Sequence, residues 1–238
     1  MFIRTGLLSF FLLMLASAAV AAPMTLEQIA RLQAVTDAEI RPGGGAIAYV
    51  RAIPRDLAAE DDGPAWRELH VVDGDGDSRP FVTGGVSVRS IGWTPDGKHI
   101  TFIATRGDDE HAKLYAIPYA GGEASVLAEL ATDISAYSFA PSGDRVALLA
   151  FEPAPEAETD LEDKGFDQVV YEEQLDNRRI WIQELGENAG EADRIALDGS
   201  VQEVAWSPAG DRLAIKITPR ELVDDTYMFN RIRIIDRD

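Results

Sequence analysis

Two adjacent carboxylates, Glu172 and Glu173, follow Tyr171, and paired acidic side chains on one loop can hold an ammonium group through charge-assisted hydrogen bonds. The pair lies in a run from Glu152 to Asp176 that carries ten carboxylates and one lysine. Charge runs of this kind are also what solvated loops contain. Two readings therefore stand, a solvated acidic loop and a site for a substrate ammonium.

The other chemistry-bearing residues point elsewhere. Asp73-Gly-Asp75-Gly-Asp77 begins like a calcium loop, but an EF-hand needs Gly at the sixth position and Glu at the twelfth, where this chain has Ser78 and Gly84. An Asp-Gly hairpin turn accounts for the same residues. Nucleophilic hydrolysis needs a serine on a strained elbow, a histidine base and an orienting carboxylate, and Gly-x-Ser-x-Gly does not occur in the 238 residues. Ser142 comes nearest, yet it stands where Asp96 and Ala209 stand in other copies of a repeated turn. That marks it as a turn residue. His70, His99 and His111 are the only histidines and have no His-Glu-x-x-His spacing, so each reads as a surface or packing residue. No catalytic residue, cofactor site or metal site is expected in this chain.

The elements that must carry these residues come from a repeat. Ile40-Arg-Pro42-Gly-Gly44, Trp93-Thr-Pro95-Asp-Gly97, Phe139-Ala-Pro141-Ser-Gly143 and Trp206-Ser-Pro208-Ala-Gly210 share one pattern. Their prolines lie 53, 46 and 67 residues apart, a propeller-blade interval once insertions are allowed. Apolar residues two apart precede each proline, as in Ile91/Trp93 and Val204/Trp206, which is strand periodicity. Pro presets a turn and Gly tolerates positive φ, so each phrase reverses the chain between antiparallel strands.

The strands that follow, Ala46 to Val50, Ile100 to Ala104, Val146 to Ala150 and Leu213 to Ile217, are apolar at nearly every position. Such strands need cover on both faces, which blades stacked around an axis provide. Third strands are legible at Glu68 to Val72, Lys113 to Ile117, Arg179 to Gln183 and Arg231 to Ile235, and fourth strands at Pro80 to Thr83, Ala124 to Leu127 and Arg194 to Leu197. The fold class is all-β. A short helix, 22–36, would lead into an incomplete propeller, 37–238, of about three and a half four-stranded blades. The blades fall at about 37–83, 87–130, 134–198 and 201–238. Thr25 and Gln28 form a capping box for the helix. The acidic run is an insertion between the second and third strands of the third unit.

Composition narrows the partners. With 46% apolar residues the chain can bury a substantial core. A formal charge of −19 disfavours nucleic acid and anionic lipid. Cysteine is absent, so disulfides and thiolate ligands are excluded. The N-terminus has the three parts of a signal peptide, 1–21: Arg4, an apolar stretch from Leu7 to Leu15, and Ala19-Val20-Ala21 as a cleavage site after Ala21. The apolar stretch is short of the ~20 residues that span a bilayer. The mature form is expected in the periplasm or secreted, without a membrane segment.

Lys164-Gly-Phe-Asp167 running into Tyr171-Glu172-Glu173, and Val223-Asp-Asp-Thr-Tyr-Met228 before a strand, add to the signal peptide, lead-in helix and blade turns. Together they resemble the N-terminal part of secreted bacterial serine peptidases of the prolyl oligopeptidase family, of the acylaminoacyl and dipeptidyl peptidase kind. The resemblance implies a propeller that admits short peptides to a C-terminal α/β-hydrolase domain bearing a Ser-Asp-His triad. That domain would lie beyond this chain, which would then be a fragment inactive by itself. In the dipeptidyl peptidase branch a Tyr-Glu-Glu segment grips the substrate's amino terminus, which the resemblance transfers to Glu172 and Glu173. Here the segment precedes a third strand, where the family places it before a new blade. Two other readings are a non-enzymatic TolB-like periplasmic propeller that binds a protein partner, and a short protein whose arc closes by pairing with a second copy.

Overall fold

Strands that are apolar at successive positions bury both of their faces only when sheets lie on either side. The computed structural model, which describes residues 23–166, 168, 175–186 and 189–237, stacks four antiparallel sheets in chain order to meet that demand. The chain divides into two units, Met1–Leu32 and Gln33–Asp238, and every sheet belongs to the second. The first sheet is β1 (Ala34–Ile40), β2 (Ala46–Ile53), β3 (Trp66–Asp73) and β4 (Ser78–Val82). The second is β5 (Arg89–Trp93), β6 (His99–Ala104), β7 (Lys113–Pro118) and β8 (Ser125–Ala128). The third is β9 (Ile134–Phe139), β10 (Arg145–Phe151), β11 (Arg178–Glu184) and β12 (Asp193–Arg194), and the last is β13 (Ser200–Trp206), β14 (Arg212–Thr218) and β15 (Arg231–Asp236). Each sheet is a meander of hydrogen-bonded neighbours, the arrangement of a propeller blade. The fold is a nearly all-β partial propeller.

Register shows how the second strands divide their side chains. In β6, Ile100, Phe102 and Ala104 pack toward the first sheet, while Ile103 packs toward the third. In β10, Val146 and Leu148 face the second sheet, and Ala147 and Leu149 face the fourth. These interior strands are buried on both sides. At the two ends the alternation returns: Ala46, Ala48 and Val50 of β2 are buried, but Ile47 on its other face is 38% exposed. In the last sheet Leu213, Ile215 and Ile217 are buried while Ile232 and Ile234 of β15 stand 80% and 59% exposed.

The tryptophans of the repeated phrase pin sheet to sheet. Trp93 Nε1 donates to the Glu39 carbonyl at 3.0 Å, and Trp206 Nε1 donates to the Ser138 carbonyl at 2.9 Å. Glu39 and Ser138 precede Ile40 and Phe139, so the acceptor holds the same place in each preceding sheet. The glycines of the four turns, Gly44, Gly97, Gly143 and Gly210, have φ between +66° and +81°, where a side chain is strained. Gly92 answers a different need. A Cβ there would lie 2.8 Å from the Tyr137 hydroxyl, which crosses between sheets to reach Thr101 Oγ1 at 2.8 Å.

Two elements are shorter than the sequence implies. The helix α1 spans only Leu26–Ala30, with the Thr25 and Gln28 capping box formed, because Ala34 and Val35 already pair with Ala52 and Arg51 in the first sheet. The fourth strand expected at Arg194 to Leu197 is the two-residue β12. Beyond it Ile195 and Leu197 turn inward against the core between the third and fourth sheets. Arg179 Nη1 takes the Leu197 and Gly199 carbonyls.

Each of the last three turns also carries a clasp between a hydroxyl and a carboxylate. Thr94 Oγ1 donates to Asp96 at 2.7 Å, Ser142 Oγ donates to Asp144, and Ser207 Oγ donates to Asp211 at 2.7 Å. In each case the hydroxyl is the leading cause of a lowered carboxyl pKa, and Asp96 comes down to about 2. A carboxyl whose folded pKa is depressed stabilises the fold fully above its unfolded pKa and stops doing so as pH falls through the folded value. Thermal melts followed by circular dichroism should lose midpoint temperature between about pH 4 and pH 2. The Asp96→Asn/Asp144→Asn/Asp211→Asn variant should show a shallower loss over that interval, and an unchanged slope would contradict the assignment.

Candidate functional site

The antiparallel meander sends the Pro and Gly turns to one end of the sheets and the second-to-third-strand connections to the other. Contacts between neighbouring turns fix this polarity: Arg41 Nε donates to the Gly97 carbonyl at 2.8 Å, and Arg145 Nη2 donates to that of Gly210 at 3.3 Å. The opposite end, the loop pole, therefore gathers the connections 54–65, 105–112, 152–177 and 219–230. It holds the described parts of the acidic insertion, 152–166, 168 and 175–177. Tyr171, Glu172 and Glu173 themselves lie outside the described residues. So does the segment 1–21.

What the structure describes is the base on which that insertion stands. It leaves β10 at Glu152, forms the helix α2 (Glu156–Glu162) and returns into β11 at Arg178. Glu156 and Glu158 occupy the first turn of α2, where the helix dipole favours negative charge. Glu152 accepts from Arg179 Nε at 2.8 Å and from Arg194 Nη1 at 2.7 Å, which ties the departing strand to β11 and β12. Arg178 meets Glu221, and its guanidinium lies over the Phe151 ring. Glu221 also accepts from Ser200 Oγ and from Gln202 Nε2, the latter at 2.7 Å. Burial pushes the Glu221 carboxyl up, but the donors Arg178, Ser200 and Gln202 outweigh it and hold the group below the ordinary carboxylate range. The network joins the third sheet to the loop that follows β14.

Beside this base lies a hollow of about 360 Å³ lined by Glu152, Pro155, Glu158, Leu175 and Asp176 among others. Leu175 and Asp176 are its link in sequence to Tyr171, Glu172 and Glu173.

The other sequence candidates settle into structural roles. Asp73 Oδ1 accepts from the Asp75 and Asp77 amides, both at 3.1 Å, closing the turn between β3 and β4. Ser142 is exposed in its turn and bonded to Asp144. His70 is buried on β3, stacked on Tyr49, with Nε2 3.0 Å from Glu68. Burial raises the Glu68 carboxyl, and the Gly84 amide, His70 and Arg51 outweigh it to lower its pKa. His99 begins β6, and His111 lies 3.7 Å from Asp133. The cluster of Arg178, Ser200, Gln202 and Glu221 escapes a reading of the sequence because its members are separated by up to 43 residues. The one available signal is the charged pair Arg178-Arg179 ahead of the apolar Ile180-Trp181-Ile182 of β11.

The geometry is that of a propeller arc with an elaborated loop pole, and comparison with known proteins agrees. No family model matches the chain. Over 125 residues, 52% of its length, it is 28% identical to the Bacillus subtilis (strain 168) protein named "Uncharacterized peptidase YuxL", and spans 18% of that protein. Among solved structures it is similar to Pyrococcus horikoshii acylaminoacyl peptidase, with a TM-score of 0.60 at 14% identity, covering 88% of this chain and 32% of that one. The β-propeller domain of the Trilobed protease from Pyrococcus furiosus gives 0.52 at 14% identity, covering 86% and 56%. A TolB from Agrobacterium tumefaciens, described as putative, gives 0.53 at 15% identity, covering 84% and 61%. The chain thus resembles the N-terminal propeller part of such peptidases, and spans less than a fifth of the curated relative it matches.

The Glu221 network yields a direct test. Glu221→Ala removes the acceptor for three donors and leaves Arg178 without its carboxylate, at a cost of about 2 kcal/mol. Glu221→Gln keeps the shape and loses the charge. Urea titration should rank the native chain above Glu221→Gln and that above Glu221→Ala; three equal midpoints would remove the network from any role in holding the insertion.

Proposed function

We propose that this chain is the N-terminal propeller of an exported serine peptidase related to prolyl oligopeptidase, and that it screens short peptides on their way to an α/β-hydrolase domain. The observation that carries the reading is the 28% identity to a protein named as a peptidase, in a chain whose fold also matches the propeller-bearing acylaminoacyl peptidase. On this reading the chain performs no chemistry. The carboxylates Glu172 and Glu173 would hold the substrate's amino terminus. Charge-assisted bonds to an ammonium are the interaction for which such a pair is suited.

Export follows from the N-terminal sequence: the segment 1–21 would direct the protein across the inner membrane and be removed after Ala21. N-terminal sequencing of the protein from the periplasm or medium should then begin Ala22-Pro23, and retention of Met1 would count against it.

A second reading is a TolB-like periplasmic propeller that presents its loops to a protein partner, favoured by the coverage of the TolB structure. The two separate on one observation. The peptidase reading requires the reading frame downstream of Asp238 to encode a Gly-x-Ser-x-Gly elbow followed by Asp and His. The protein carrying that domain should hydrolyse short peptide amides, the 238-residue chain alone should not, and Glu172→Gln/Glu173→Gln should raise KM more than it lowers kcat. A frame that adds only blades and then stops would favour the TolB-like reading.

A further inference from the structure

A hollow of about 710 Å³ opens at the fourth-strand edge between the second and third sheets, lined by Leu127, Glu129, Leu130, Trp181, Gln183 and Glu191 among others. Every residue that lines it is described. Both sheets pack against a neighbour on either side, so no uncovered sheet face borders it. Leu127, Leu130 and Trp181 rest on one core with Ala128 and Leu148, which joins the two walls at the floor. Its volume is that of a small-molecule site. The shortness of β12 leaves it open. β12 pairs only with Trp181 and Ile182. Beside Gln183, where a longer fourth strand would run, the side-chain amide takes over: Nε2 donates to the Gly190 carbonyl at 2.6 Å and to that of Glu184 at 3.0 Å.

Two polar groups in the hollow lack partners. Gln183 is 8% exposed, and with Nε2 committed to two carbonyls its Oε1 accepts no bond among the described residues while keeping access to solvent. Buried polar side chains normally have every strong group satisfied, so an acceptor left open onto a hollow is a group for a ligand to meet. The chain has four tryptophans. Three of them give Nε1–H to an acceptor: Trp66 to Glu60 at 2.8 Å, Trp93 to the Glu39 carbonyl and Trp206 to the Ser138 carbonyl. Trp181 Nε1 has none among the described residues. Trp181 and Gln183 are two apart on β11, so they project from one side of the sheet about 7 Å apart along the strand. The charged lining residues are Glu129 and Glu191, and no Lys, Arg or His joins them. Glu129 meets Lys113 Nζ at 2.7 Å, whereas Glu191 meets no cation among the described residues.

We propose that this hollow binds a small organic cation. Its apolar body lies against Leu127, Leu130 and Trp181, its ammonium head donates to Gln183 Oε1 and faces Glu191, and a carbonyl or hydroxyl beside the head accepts from Trp181 Nε1. An ammonium close to an indole and a carboxylate gains from both. A carboxylate or phosphate on the ligand would be repelled by Glu129 and Glu191. Amino acid amides and the amino ends of amidated peptides share this chemistry. The site does not rest on the peptidase reading and uses no residue of the Tyr171-Glu172-Glu173 segment.

The test is a titration of the full 238-residue chain with phenylalaninamide, read on the indole N–H resonances in a proton–nitrogen-15 spectrum. The Trp181 resonance is the one missing from Trp181→Phe, and the other three, unmoved in that variant, show that the fold is kept. Phenylalaninamide should shift the Trp181 resonance and leave those of Trp66, Trp93 and Trp206 in place. N-acetylphenylalaninamide, which lacks the charge, should bind about fivefold more weakly, and 3-phenylpropionate should not bind. Glu129→Gln/Glu191→Gln should weaken phenylalaninamide about fivefold, while Asp75→Asn/Asp77→Asn in the first sheet should change its affinity less than about twofold. A C-amidated tripeptide that begins with Phe separates the two sources: tighter binding assigns the site to peptide ends, equal or weaker binding to small amines. No shift up to about 10 mM ligand, equal shifts at all four indoles, or equal affinity for 3-phenylpropionate would overturn the proposal.

Discussion

No sheet in this molecule can bury its own apolar residues, and everything else follows from the need to lay one sheet against the next. A four-stranded antiparallel sheet has two faces and no interior, so a strand such as β10, with Val146, Leu148 and Ala150 alternating with Ala147 and Leu149, is stable only between neighbours. Fully burying a side chain of this size contributes about 1.5–3 kcal/mol, more than the roughly 0–1 kcal/mol of an exposed ion pair. The cores between adjacent sheets are therefore the source of stability. The hydrogen bonds from Trp93 and Trp206 align the first sheet with the second and the third with the fourth.

That division of labour frees the two ends of the sheets to differ. At the turn end, neighbouring sheets must approach closely, and short Pro and Gly phrases with internal hydroxyl-to-carboxylate clasps allow it. A longer connection there would push the turns of adjacent sheets apart. The loop pole is less constrained, since among the described residues of the connections leaving β2, β6, β10 and β14 only Ala112 joins a packed core. Length and charge accumulate there because they cost the fold little. The four second-to-third-strand connections are each net acidic in sequence, although no rule of the sheets demands it.

The same asymmetry explains what the sequence makes legible. Alternation, apolar runs and the repeated turn phrase are local signals, and they suffice for the strand order and for the acidic run as an insertion between β10 and β11. The Trp93 and Trp206 bonds could be anticipated only once two sheets were set side by side, because their acceptors lie 54 and 68 residues away. The base of the insertion is harder still. Arg178, Ser200, Gln202 and Glu221 belong to three separate elements, and each alone reads as an ordinary surface residue. The brevity of β12 has the same origin, since Arg179 takes carbonyls that a longer fourth strand would have offered elsewhere. Helix α3 (Val223–Met228) is a further instance: the segment can be recognised as family-like, but the bond from Arg220 to its buried Asp225 is a property of the folded connection alone.

These nonlocal networks concentrate where recognition would occur. Glu152 couples β10 to β11 and β12, and Glu221 couples β11 to β13 and to the connection bearing α3. The acidic insertion and the connection bearing α3 thus rise from one charged foundation. Movement of either loop at its base would break charge-assisted bonds whose donors have few alternative acceptors, so the foundation is stiff even though the loops are long. A base assembled in this way holds its carboxylates and the Phe151 ring in fixed relation to each other.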